Sequence, residues 1–310
     1  MSRSKARREI RKFFIGLILI VGVFLYNNYL QEPINEFIQK LDPNYIEDTD
    51  VKPRKLEDDL FVEYLDVGQA DSILIYNKGH YMLIDAGNNE DGAKLVNYFK
   101  SLGITKFDYV VGTHAHEDHI GGMDDIINNF DIDHFYMPEV ITTTKTFEDI
   151  VVALENKQLA FDTPKIGSTF KIGEADVRTI YVGSEEGDLN NTSIVLKLTY
   201  GDNKFLFTGD AEAKVEKQIL DRDIESDVLK IGHHGSQYSS SLDFLKTVNP
   251  TYAVIQVGVD NKYDHPKQVT LNRLNYYNIK VYRTDLDGTI VAKSNGEEIT
   301  FSTKETDTNG

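Results

Sequence analysis

The stretch from Tyr109 to His119 constrains this chain more than any other. Tyr109-Val110-Val111 reads as a strand, and after one glycine it runs into Thr113-His114-Ala115-His116-Glu117-Asp118-His119. Three histidines and an aspartate therefore fall within six positions at a strand end. Imidazole and carboxylate are the zinc-type donors open to a chain with no cysteine. A strand that opens into a loop lets such side chains converge on one point at a sheet edge. The plain alternative is a polar loop of separately satisfied histidines, and it leaves four donors in one short segment unexplained.

Composition narrows the setting. With 310 residues, 40% of them hydrophobic, the chain can bury a sizeable core. Without cysteine there is no disulfide framework, thiolate zinc knuckle or cysteine nucleophile. The net charge is −17, yet Arg3, Lys5, Arg7, Arg8, Arg11 and Lys12 against Glu9 make the first twelve residues +5, so the remainder carries −22. Such an acidic body is a poor general binder of duplex nucleic acid, which depends on Lys and Arg displacing counterions.

The basic segment is followed by an uncharged apolar run. Residues 13–30 are just long enough to span a bilayer, with Tyr26 and Tyr29 placed for the far interface. The competing reading is a cleaved signal peptide, but no small-x-small cleavage site follows. The expectation is an uncleaved signal anchor, with residues 1–12 cytoplasmic and the rest outside a bacterial-type cell membrane. Residues 31–58, punctuated by Pro33, Pro43 and Pro53, read as a stalk, 59–303 as the folded domain and 304–310 as a disordered tail.

Within the domain, strand and helix patterns alternate. Phe61–Asp66, Ser72–Tyr76, Tyr81–Ile84 and Tyr109–Val111 read as strands, with helices over Asp91–Leu102, Gly122–Asn128 and Thr146–Asn156. A second set follows, with strands at Ala175–Val182, Ser193–Tyr200, Lys204–Thr208, Asp227–Ile231 and Tyr252–Gln256. Its helices are Ala211–Leu220, Leu242–Thr247 and Gln268–Tyr277, and three terminal strands close the domain. Two halves built this way suggest an α/β fold of two face-to-face sheets with helices outside.

Two further strand ends and a later loop carry chemistry. Phe205-Leu206-Phe207-Thr208-Gly209-Asp210 presents a carboxylate of the kind that bridges a dinuclear site. Val228-Leu229-Lys230-Ile231-Gly232-His233-His234 ends a strand in two histidines, of which one can be a ligand while the other faces substrate. Tyr263-Asp264-His265-Pro266 adds His265, whose plain reading is a surface histidine before a proline turn.

Together these elements resemble the metallo-β-lactamase superfamily, with its His-x-His-x-Asp-His, later Thr-Gly-Asp and final strand-end histidine. Leu65-Asp66-Val67-Gly68-Gln69-Ala70-Asp71-Ser72, Leu83-Ile84-Asp85-Ala86-Gly87, Asn190-Asn191-Thr192-Ser193 and Gly232-His233-His234-Gly235-Ser236 narrow the likeness. They are similar to the extracellular hydrolase domain of ComEC-type competence proteins, over residues 60–302. The resemblance implies an αββα sandwich holding two divalent ions, usually zinc, with manganese the other candidate. It implies His114, His116 and Asp210 on one ion, and Asp118, His119, His233 and the shared Asp210 on the other. Where many superfamily members carry an extra histidine, Asn190-Asn191-Thr192-Ser193 stands, and His134 is the one histidine between the first motif and Asp210. Asp85 is expected behind the histidine loop, with Asp66, Asp71 and Lys230 beside the same floor.

The expected chemistry is hydrolysis of a phosphodiester by hydroxide generated between two cations, with Asp118 indispensable. His234 or His265 would orient the phosphate or protonate the leaving oxygen, and Asn190, Asn191 and Ser193 would donate hydrogen bonds to it. As substrate, the resemblance favours nucleic acid, single-stranded, and the −22 charge of the body opposes it. The alternatives are a surface esterase acting on wall-polymer phosphodiesters of teichoic acid or phosphocholine type, and a non-catalytic binding module.

Overall fold

The alternation of buried side chains decides the architecture of residues 59–184 and 188–303, which a computed structural model describes. The first sheet begins with β1 (Leu60–Tyr64), β2 (Ser72–Asn77), β3 (His80–Ala86), β4 (Lys106–Val111), β5 (Asp131–Tyr136) and β6 (Phe161–Asp162). The second comprises β7 (Thr169–Ile172), β8 (Ala175–Tyr181), β9 (Val195–Tyr200), β10 (Asn203–Phe207), β11 (Val228–Lys230), β12 (Tyr252–Ile255) and β13 (Lys280–Arg283). The chain then returns to the first sheet through β14 (Ile290–Ser294) and β15 (Ile299–Thr303), giving the order β15-β14-β1-β2-β3-β4-β5-β6 against β13-β12-β11-β10-β9-β8-β7.

In β2 and β3, Ile73, Ile75, Met82 and Ile84 face the second sheet, while Leu74 and Leu83 face helices. In β10 and β12, Phe205, Phe207 and Val254 face inward, while Leu206, Ala253 and Ile255 face the other helical layer. Strands covered on both faces read as near-continuous apolar runs, which is why their positions were legible. Each such side chain contributes roughly 1.5–3 kcal/mol on burial, so the two sheets are held together chiefly by this middle layer.

The outer layers come from amphipathic helices. On the first sheet lie α1 (Gly92–Ser101), the single turn α2 (Glu117–Ile120), α3 (Met123–Asn129) and α4 (Lys145–Lys157). The Thr144 hydroxyl caps α4 by accepting from the Phe147 N–H at 3.3 Å. On the second sheet lie α5 (Ala213–Ile219), α6 (Leu242–Val248) and α7 (Gln268–Tyr276). The expected αββα sandwich is what forms.

Several short elements were not foreseen, among them β6 and the helical turn Thr284–Asp287. β5 carries Asp131, Asp133 and His134 exposed, so it lacks a clear apolar face; β7 is short and half-exposed; and α2 turns part of the expected histidine loop into a helical turn. The expected anchor, stalk and tail lie outside the described residues. Among the described residues, no helix is long and apolar enough to cross a membrane.

Each sheet changes character at one strand. Pairing is antiparallel through β1, β2 and β3, then parallel from β3 through β6. It is antiparallel through β7 to β10, then parallel from β10 through β13. The carboxyl ends of strands at such a switch leave a crevice that connecting loops do not fill. The loops after β3, β4, β10 and β11 all meet there.

Candidate metal centre

Asp210 is the hub. It follows β10, is 2% exposed, and directs its two oxygens to different imidazoles. Its Oδ1 lies 3.3 Å from His119 Nε2, while Oδ2 lies 4.0 Å from His114 Nε2 and 3.8 Å from His234 Nε2. Gly209 makes this turn possible: at φ +50°, a Cβ there would lie 3.0 Å from both Ser193 Oγ and Thr113 Cβ. The Asp210 N–H donates to Ser193 Oγ at 3.0 Å, which holds the carboxylate's backbone against the β9 side of the cleft.

The first sheet supplies the histidine segment. His114 ends the extension of β4, and α2 brings Asp118 and His119 round beside it. Gly121, just past α2, lets the turn press against the neighbouring loop, since a Cβ there would come within 2.2 Å of the Asn88 carbonyl carbon. Asp85, at the end of β3, sits behind the segment. It accepts the Thr113 N–H and hydroxyl, each at 2.8 Å, and its Oδ2 lies 2.8 Å from His119 Nδ1.

These outer partners determine which nitrogen of each ring faces inward. Asp85 engages His119 at Nδ1. Because the Thr113 hydroxyl gives its proton to Asp85, its oxygen is left to accept from His114 Nδ1 at 3.2 Å. His234 Nδ1 donates to the Gln256 carbonyl at 3.0 Å. All three rings therefore turn Nε2 toward Asp210, the arrangement that carboxylates and carbonyls behind metal-binding histidines produce. His119 Nε2, His234 Nε2 and Asp210 Oδ1 are buried atoms without a hydrogen-bond partner. Leaving such atoms unsatisfied costs about 1–3 kcal/mol each, a cost that a cation removes.

The donor set fits a divalent cation. His114, His119 and Asp210 form one group and Asp118, His119 and His234 another, with ligand atoms within 4.8 Å of one another. His114 Nε2 and His116 Nδ1 stand 3.0 Å apart. Two nitrogens about 2.0–2.1 Å from one tetrahedral zinc would be roughly 3.3 Å apart. A third group, Asp71, Asp85 and His119, also converges, but Lys230 already provides a cation to Asp71 there, at 2.7 Å.

Electrostatics agree. Burial works against charge on Asp210, but His119 and His234 outweigh it and hold the carboxyl well below the usual range. Burial likewise opposes charge on His234, yet Asp210 and Asp71 raise it to about 10; His119 is raised by Asp210 and Asp85 in the same way. A field that retains protons on two buried imidazoles favours positive charge at that point. A metal ion takes their place by displacing the protons.

The cleft above this floor has a volume of about 610 Å³ and includes His116, Asp118, Asn190, His233 and His265 in its lining. His233 and His234 both have left-handed backbone, at φ 52° and 51°, which reverses the chain at the end of β11. The reversal sends His234 inward, 3.3 Å from Asp71 and from Asp118, and leaves His233 on the wall. His233 Nε2 is 3.8 Å from Asp210, and its Nδ1 is 3.3 Å from Glu212. The structure thus brings His234 into the converging groups where His233 was expected, and gives His233 the substrate-facing place expected of His234.

Other expectations need correcting. Asp66 is exposed and accepts the Gly68 N–H in its own turn, so it does not join the floor. Asn191 holds Asp188 and the Glu212 N–H, and Ser193 lies behind His114, so only Asn190 of that segment reaches the cleft. Lys230 is fully buried beneath the floor, bonded to Asp71 and the Ile231 carbonyl, and does not reach substrate. His134 stacks on Tyr109 at 4.7 Å, in the aromatic edge between the sheets rather than near Asp210. His265, half-buried, is pushed down to about 4 by burial and by His233, so it is neutral at pH 7.

Sequence reasoning missed Gln256. Its Nε2 donates to the Leu65 carbonyl at 2.9 Å and the Ser72 carbonyl at 2.8 Å, across the gap between the sheets, while its backbone carbonyl orients His234. The one available signal was a buried-type amide at the end of an otherwise apolar strand.

Residues 65–259 match the metallo-beta-lactamase superfamily. The chain belongs to that superfamily. It is 29% identical to ComE operon protein 3 of Bacillus subtilis (strain 168) over 263 residues, covering 78% of this chain and 34% of that protein. It is 30% identical to Competence protein ComA of Neisseria gonorrhoeae over 240 residues, covering 76% and 32%. Recombination protein 2 of Haemophilus influenzae matches at 29%, over 74% of this chain and 28% of that one. The chain thus spans about a third of the length of these curated relatives. In fold it is similar to the metallo-beta-lactamase fold protein YhfI of Bacillus subtilis, with a TM-score of 0.52 at 13% identity, covering 76% of this chain and all of that one. The diiron beta-hydroxylase CmlA of Streptomyces venezuelae gives 0.52 at 16% identity, over 77% and 54%.

Proposed function

We propose that this chain is a phosphodiesterase that cleaves single-stranded nucleic acid on the outer side of a bacterial-type membrane, anchored there by residues 13–30. Its superfamily and its converging donors make it a metal-dependent hydrolase; the substrate and setting are the proposal. The observation that carries the diester reading is the division of Asp210, whose two oxygens face different imidazoles, as in a carboxylate shared by two cations. Two-cation sites suit in-line displacement at phosphorus.

His114, His116, Asp118, His119, Asp210 and His234 would hold those ions, zinc or manganese. The ions would stabilise charge added at phosphorus and acidify a water. The chain's other residues position and exclude. Asp85, Thr113 and Gln256 hold the rings in orientation. Asn190 and His233, joined at 3.4 Å on the cleft wall, face the space a phosphoryl oxygen would enter. His265, neutral at pH 7, suits a hydrogen-bonding role better than that of a general acid.

Relatives named for competence and for recombination support nucleic acid as substrate. The second reading, a wall-polymer phosphodiesterase, draws on Glu90 and Glu117 along the cleft, whose charge suits the quaternary ammonium of a phosphocholine substituent. The test is a hydrolysis screen of the 310-residue chain in detergent, with zinc or manganese, against single- and double-stranded DNA, RNA, teichoic acid and bis-p-nitrophenyl phosphate. Preference for single-stranded DNA or RNA is expected. Selective cleavage of teichoic acid would transfer the function to the second reading. Less than one equivalent of bound transition metal, with no turnover, would favour a binding module.

A further inference from the structure

The walls of the cleft differ in chemistry. One presents Asn88, Glu90 and Glu117; the other, the loop that follows β12, presents Asn261, Lys262, Tyr263 and His265. The first wall repels a polyanion, while the second offers Lys262 as a cation facing the cleft. Tyr263 is a large aromatic side chain left 46% exposed in a cleft, and Lys262 Nζ sits 4.9 Å from its ring centre.

The ring is connected to the metal centre. Tyr263 stacks on His265 at 5.7 Å and 26°, and His265 stands edge-on to His233 at 5.7 Å, beside Asp210. The three rings step outward from the floor to the rim.

The loop is built to hold that ring in place. Asn261 uses all four hydrogen-bonding positions of its amide on its own loop. Nδ2 donates to the Gly258 and His265 carbonyls at 3.0 and 2.6 Å, and Oδ1 accepts the Tyr263 and His265 N–H groups at 3.2 and 2.9 Å. Asp260 and Asp264 take left-handed backbone, at φ 50° and 52°, a conformation that non-glycine residues adopt at a cost. The result is a fixed platform with its aromatic side chain out. Next to its start, Gln69 Oε1 accepts the Gly258 N–H at 3.2 Å, which leaves Gln69 Nε2 a buried donor without a partner at the cleft.

We propose that this loop is a nucleobase-stacking subsite: Tyr263 takes the base next to the scissile phosphate, Lys262 takes the adjoining phosphate, and Gln69 Nε2 donates to the base edge. The proposal rests on the phosphodiesterase reading and sharpens it toward nucleic acid. A polyol-phosphate chain has no flat ring for Tyr263 to stack on. Stacking on an aromatic side chain tolerates every base, so the subsite selects for nucleotides without selecting sequence.

The test compares oligothymidylate with the same oligomer made of abasic residues, on the metal-loaded 310-residue chain. The wild type is expected to favour the base-bearing oligomer in kcat/KM by about tenfold, the scale of one base stacked on one ring. In Tyr263→Ala that ratio falls to near one, and in Tyr263→Phe it persists. Lys262→Met weakens both oligomers alike and reduces the salt dependence of their binding. A ratio near one in the wild type, or one unchanged in Tyr263→Ala, overturns the subsite while leaving the diesterase standing. Hydrolysis of neither oligomer overturns the diesterase reading itself. Fluorescence anisotropy of the two oligomers on metal-free protein then decides the subsite: equal affinities overturn it, and a preference lost in Tyr263→Ala upholds it.

Discussion

The first sheet delivers its donors from one short segment, His114 to His119, backed by one carboxylate, Asp85. The second delivers Asp210 and His234 from separate strand ends, backed by an ion pair, a cross-sheet amide and left-handed backbone at both His233 and His234. The first half is a local motif whose spacing does the work. The second is an assembly that exists only when β10, β11 and β12 lie side by side. The difference teaches that one half should tolerate change around it, while the other depends on supports far away in sequence.

The largest effect is expected where the halves meet. Asp210→Ala removes the carboxylate both share, and turnover should fall by about a thousandfold or more, the scale for a group at the reacting atoms. Circular dichroism should show the fold retained, and metal analysis, on the two-ion proposal, should show both ions lost. Loss of only one ion would mean that Asp210 serves one half alone.

Next comes the support of the second half. Lys230→Met takes from the buried Asp71 carboxylate its nearest cation, and breaking such a pair typically costs about 3–5 kcal/mol. Urea unfolding should read that loss, and adding Asp71→Asn should recover part of it. An unchanged midpoint would show that the pair holds neither Asp71 nor the strand end in place.

The comparison is sharpest between the two groups that orient histidines. Asp85→Asn acts on the side-chain partner of His119 in the first half; Gln256→Leu, in the second, spares the backbone carbonyl that binds His234 and removes the amide that ties that carbonyl's residue to the opposite sheet. Asp85→Asn should weaken metal binding by about 10–100-fold, as loss of a partner behind a ligand does, and Gln256→Leu by less, because His234 keeps its acceptor. Only Gln256→Leu should also lower the melting temperature of the metal-free protein through its two cross-sheet bonds. Equal melting losses in both variants would erase the distinction.

The smallest effect is at the rim. His265 is held near 4 in the folded chain, below the ordinary imidazole value of about 6.5, so the unfolded chain binds the proton more tightly between those values. Its stabilising share is therefore present above about pH 6.5 and lost as pH falls toward 4. His265→Gln should show a shallower decline in unfolding midpoint over that window and match the wild-type slope above pH 7. A parallel decline in both would place the acid sensitivity elsewhere.

The same contrast explains what could be read without coordinates. His114, Asp118 and His119 were legible because chemistry and spacing coincide in one segment, and the doubly covered strands were legible because both faces are apolar. Which of His233 and His234 turns inward was not, because a left-handed reversal over two non-glycine residues leaves no compositional trace. Asp66 and Asp71 look alike in sequence, and only the position of Lys230 beneath the floor separates an exposed turn residue from a buried anchor. Gln256 was invisible for a related reason: its partners, Leu65 and Ser72, lie almost two hundred positions earlier.

Gln256 also makes the thickness of the sandwich a property of the metal site. One end of this residue grips the opposite sheet and the other aims a ligand, so the distance between the layers sets where His234 stands. Close-packed interiors transmit small volume changes instead of absorbing them. A methylene added or removed at Tyr64, Val111 or Phe207, none of which touches the cleft, should therefore appear as altered metal affinity. Anyone retuning this centre has the hydrophobic layer as a second dial.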